Sequence, residues 1–170
     1  MPSAEARAVR QRVPEPSENV AALARAHLGL AQALDRLEEV TTAPQSPAAH
    51  VIAKIRYELA MAARNRRATV LALTSATAQQ LGPSTSGTLS SLRTMQTQLD
   101  LYTSEYVRLW TVQRVASDWP SYRTAAAEKR RLVRDSIRLE KELLEPLLRA
   151  MDDPGEALKL ARRTPLRAYG

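Results

Sequence analysis

Cysteine is absent from the 170 residues, which excludes disulfides, iron–sulfur clusters and thiol catalysis. Phenylalanine is absent too, and only five glycines and two histidines occur. Poverty in β-branched and aromatic residues, set against abundant alanine, leucine and arginine, favours helix over sheet. No uninterrupted apolar run approaches the roughly 20 residues of a membrane span. The N-terminus is polar, with Pro2, Pro14 and Pro16, and resembles no signal peptide. These absences lead to a cytoplasmic protein as the expectation.

What remains is 44% apolar, enough for a folded domain with a sizeable core. The formal charge is +7, from 25 basic and 18 acidic residues. Such a surplus favours acidic partners through long-range attraction. Only four of the basic residues are lysine, so the arginine content reads first as a compositional habit.

Residues 1–16 read as a mobile, charged arm, 17–151 as the folded domain, and 152–170 as a short basic helix and tail. A first helix is expected from Ser17–Glu18 to about Val40. "TTAPQSP" breaks it, and Ser46 with Pro47 should cap a second helix running to Leu81. "GPSTSG" stops that one, and a third spans roughly residues 87–117. "SDWP" turns the chain into a fourth helix ending near Met151. Four long helices with short links predict an all-α, antiparallel up-down-up-down four-helix bundle with a short C-terminal helix. An extended coiled-coil dimer of two such hairpins is the rival architecture.

Bundle helices bury positions alternately three and four apart. The stripes are Val20, Leu23, His27, Leu30, Leu34 and Leu37 on the first helix, and Ile52, Ile55, Leu59, Ala62, Arg66, Thr69 and Leu73 on the second. On the third they are Leu92, Met95, Leu99, Tyr102, Tyr106 and Leu109. On the fourth they are Val133, Ile137, Glu140, Leu144, Leu147 and Met151. His27, Arg66 and Glu140 interrupt otherwise apolar stripes. At roughly 1.5 Å per residue, His27, Glu140 and Arg66 lie about 13, 16 and 22 Å from one end of such a bundle, with Tyr102 near Arg66. A buried carboxylate needs a cation, a metal or a proton. The expectation is a buried polar network of His27, Arg66, Tyr102, Tyr106 and Glu140. A metal is not expected; any metal bound would fall to His27 and Glu140.

The stretch "SIRLEKELLEP", residues 136–146, resembles the last helix of hemerythrin-like domains, which often reads His-Ile-x-x-Glu-Glu-x-x-Leu-Phe-Pro. Ile137, Glu140, Leu144 and Pro146 match, whereas Ser136 stands at the histidine and Lys141 at the second glutamate. His27 suits the histidine that such domains carry on their first helix. The resemblance implies a four-helix bundle related to di-iron, oxygen-binding proteins. The family's centre draws about five histidines and two carboxylates, so the resemblance implies a bundle that has lost its metal, with Arg66 supplying the missing positive charge. Lys54 and Glu58 mimic a His-x-x-x-Glu spacing, but sit too far along the second helix.

No Glu-x-x-His occurs, which removes a ferritin-like site, and no nucleophile elbow is present. Catalysis is not expected, and no cofactor is expected, with iron kept as the one alternative. The functional expectation is ligand sensing or partner binding, with a protein partner or self-association favoured. The alternative is a basic helical adaptor or assembly protein that binds another protein or nucleic acid. Its surface would be Arg64 and Arg67 in "RNRR", Arg130, Arg131 and Arg134 in "EKRRLVR", and Arg162 and Arg163.

Overall fold

A computed structural model describes residues 17–153 and 155. The N-terminal arm, most of the C-terminal tail, and Arg162 and Arg163 lie outside the described residues. The described chain is helical, with no strand: α1 (Glu18–Thr42), α2 (Ala49–Leu81), α3 (Ser86–Leu109), the short α4 (Val112–Ser117) and α5 (Trp119–Asp152). None of these helices is long and apolar enough to cross a membrane.

Local chemistry accounts for the boundaries. The Ser17 side chain accepts from the Val20 amide at 3.2 Å, capping α1. The other end of α1 has no basic residue in its last turn, and α5 supplies the missing donors. Arg123 Nε donates to the Thr41 carbonyl at 2.7 Å, and Trp119 Nε1 donates to that of Ala43 at 3.1 Å. α2 ends at Gly82, whose φ of 67° and ψ of −157° lie where only glycine is comfortable. A 3₁₀ turn over Gly82–Thr85 then leads directly into α3. Asp118 caps α5 by accepting from the Ser121 amide at 3.4 Å, and Pro120 sits in its first turn.

Two expected boundaries are corrected. Ser46 does not cap α2; its hydroxyl donates to the Pro47 carbonyl at 3.2 Å, and the helix begins after Ala48 without a side-chain cap. The expected third helix over 87–117 is broken. Trp110 leaves helical geometry at φ −101° and ψ 72°, and Thr111 caps a separate α4 by accepting from the Arg114 amide at 3.2 Å. Burial of the Trp110 ring, which meets the edge of Tyr122 with centroids 5.4 Å apart, holds the break in place.

The core has two apolar clusters. One gathers Leu30, Leu34 and Leu37 of α1, Ile52, Ile55 and Leu59 of α2, Tyr106 of α3, Trp110, Val115 of α4, and Trp119, Tyr122, Ala126 and Val133 of α5. The other gathers Val20 and Leu23, Val70 and Leu73, Leu89 and Leu92, and Leu144 to Leu148. Each fully buried Leu or Ile contributes about 1.5–3 kcal/mol. In α1, α2 and α5 the sequence gap between the two clusters contains His27, Arg66 and Glu140, respectively.

Candidate functional site

Glu140 has no solvent exposure. Its carboxylate accepts from Arg66 in a side-on pair: Arg66 Nε reaches Oε2 at 3.0 Å, and the Nη2 group reaches Oε1. Oε2 also accepts from His27 Nε2 at 2.8 Å. A carboxylate oxygen can only accept, so Nε2 carries the proton in that bond. Arg66 Nη2 donates further to the Ser136 hydroxyl. All four side chains are buried. The two-point geometry between guanidinium and carboxylate gives a strong, directional pair. Breaking such a pair from one side leaves a buried charge uncompensated, at about 3–5 kcal/mol.

The helices place these groups by spacing alone. His27 lies between Leu23 and Leu30, one turn from each, and Ser136 precedes Glu140 by one turn on the same face. Tyr102 and Tyr106, expected in this network, are not in it. Tyr102 is half-buried and lines a cavity with Leu132, Ser136 and Leu139. Tyr106 is buried, but its hydroxyl has no hydrogen-bond partner. A stripe position fixes only the face of a helix; Tyr106 packs against Tyr122 and Lys129 of α5.

The donor set does not fit a di-iron centre. Among the described residues, no three His, Asp or Glu side chains converge as a metal would require. Both Glu140 oxygens are already engaged by Arg66, and His27 is the one histidine beside them. His50 is exposed in the first turn of α2. Glu58 pairs with Arg36 of α1 at 3.2 Å, not with Lys54.

The basic clusters are split by the folding. Arg64 and Arg67 are exposed, with Arg67 Nη1 at 2.9 Å from Asp100, while Arg66 points inward. Arg131 and Arg134 are exposed, and Arg134 bonds Asp35 at 2.8 Å and Glu38 at 2.6 Å. The Arg134 hydrogen bond and charge hold the Glu38 carboxyl below its ordinary pKa. Arg130, expected on the surface, is buried and donates to the Thr41 hydroxyl at 2.7 Å, because its position on α5 faces the end of α1. Lys129 beside it is buried as well. Spacing held the signal for Lys129 and Ser136. Continuing the α5 stripe back from Glu140 gives Ser136, Val133, Lys129, Ala126 and Tyr122, all buried.

Compared with known proteins, the chain matches no protein-family model, no curated protein and no solved structure.

Proposed function

We propose that the chain is a non-catalytic, hemerythrin-like antiparallel up-down-up-down bundle that works by binding a ligand or a protein partner. In this reading an arginine–carboxylate–histidine layer stands where such a bundle would carry metal. The observation that carries it is the fully buried Glu140, compensated by Arg66 and His27. Two further observations support it. The first half of α1 clusters with the second half of α2, the first half of α3 and the second half of α5, as alternating directions require. Ile137, Glu140, Leu144 and Pro146 hold the spacing of the resembling motif. The reading as a basic adaptor has less behind it, because several of the arginines on which it rests are buried or paired with carboxylates.

A double-mutant cycle tests whether Arg66 replaces the metal's charge. Glu140→Gln alone strands the buried guanidinium and lowers unfolding stability by about 3–5 kcal/mol. In an Arg66→Met background the same change costs less than about 1 kcal/mol, since no charge is left to strand. Urea denaturation of the four proteins gives the coupling. Additivity within about 0.5 kcal/mol contradicts the reading.

A further inference from the structure

A cavity of about 260 Å³ lies beside the ion layer, walled by α1, α2, α3 and α5. At about 30 Å³ per water, that is space for a ligand of roughly ten non-hydrogen atoms. Its walls are largely apolar, including Leu30, Leu37, Leu59, Leu99 and Val133. Its polar groups do not suit an empty, dry cavity. Lys129 is 7% exposed, and its ammonium lies 4.2 Å from the centre of the Tyr106 ring. Arg56 Nη1 and the hydroxyls of Tyr106 and Tyr122 are buried without a hydrogen-bond partner. The two tyrosine rings are neighbours, with centroids 6.3 Å apart. Among the described residues, neither Lys129 nor Arg56 has a carboxylate at ion-pair distance. The one acid of the wall, Asp100, is held by Arg67 at 2.9 Å.

We propose that this cavity binds a small monocarboxylate with an apolar body of about octanoate's size, its carboxylate held by Lys129, Arg56 and the hydroxyls of Tyr106 and Tyr122. The assignment rests on the reading of the bundle as a ligand binder. The chemistry selects a carboxylate for two reasons. Arg56 and Lys129 offer only donors, and both tyrosines can donate, so the ligand must bring several acceptor lone pairs. The buried Lys129 ammonium and the buried Nη1 of the half-buried Arg56 have no counter-charge among the described residues, which favours a negative ligand, and apolar walls favour a hydrocarbon remainder. The electrostatics agree: burial, and then the neighbouring Arg56 charge, lower the Lys129 pKa to about 8. Burial, and then the adjacent Tyr122 hydroxyl, raise that of Tyr106, which keeps it protonated.

Octanoate is the probe, titrated calorimetrically into the full chain, with octanol as the uncharged comparator of equal length. Octanoate is expected to bind one per chain and octanol at least tenfold more weakly. Lys129→Met and Arg56→Met should each weaken octanoate at least tenfold. Ala63→Leu, which fills the cavity from α2 and leaves every charge in place, should abolish binding while far-ultraviolet circular dichroism is unchanged. No octanoate binding, equal binding of octanol, or undiminished binding to Ala63→Leu overturns the proposal. Failure with octanoate beside strong Glu140–Arg66 coupling removes this ligand class and leaves the bundle reading standing. Octanoate binding beside an additive cycle supports the cavity and removes the charge-replacement reading.

Discussion

Buried charge occurs at Glu140, Arg66, Arg130 and Lys129, and the fold treats them differently. Glu140 and Arg66 neutralise each other, whereas Lys129 has only the face of Tyr106. A ring face is a weak substitute for a carboxylate, so Lys129 costs stability. Its pKa falls from 10.5 to about 8 on folding. Below pH 8 both states hold the proton, and the folded chain bears the full cost of the buried ammonium. Between pH 8 and 10.5 the folded state alone releases it, so this contribution to stability rises with pH across that window. Lys129→Met should therefore stabilise the protein at pH 7, on the order of 2 kcal/mol, and by much less at pH 10. Thermal melts of both proteins at the two pH values give the comparison; an equal gain at both contradicts this account of Lys129. At this scale the sequence was informative where a polar residue interrupts an apolar stripe, as at His27, Arg66 and Glu140. It was silent on the tyrosine hydroxyls. Whether a hydroxyl meets a partner depends on interhelical angles and distances, which residue spacing does not set.

Among the helices, α3 is the least anchored. It buries only Leu89, Leu92 and Tyr106, and Leu101, Val107 and Leu109 are exposed. Cavities adjoin it on two sides, one shared with α1, α2 and α5 and the other with α5. Fewer buried apolar contacts mean a lower free energy for local opening. Amide hydrogen exchange should accordingly be faster over residues 93–105 than in the central turns of α1 and α5. Equal protection in the three helices contradicts that ranking. The long helices were legible because their apolar periodicity runs on for many turns. The division between α3 and α4 was not, because Thr111 is a weak start signal inside a continuing periodicity; the Trp110 indole packs against Tyr122 at the break. Ser46 and Pro47 gave a plausible capping signal, but the helix starts one residue beyond Ala48. Such one- or two-residue shifts follow from how the preceding loop packs.

Among the described residues, two apolar clusters are separated by one charged layer of His27, Arg66 and Glu140. The same arrangement of buried acid and histidine would be the remnant of a metal centre if ligands had been lost from the other helices. Arg66 makes the difference, since it occupies both carboxylate oxygens that a metal would need. Displacing it would bury a guanidinium without a counter-charge, so the account predicts that ferrous iron does not compete. Metal content is the most direct test, measured by plasma mass spectrometry with the visible spectrum, on protein purified without chelator and again after anaerobic loading with ferrous iron and desalting. The account predicts iron far below one per chain and no visible absorption in both preparations. Stoichiometric iron with visible absorption in wild-type protein, lost in Glu140→Gln, would contradict it.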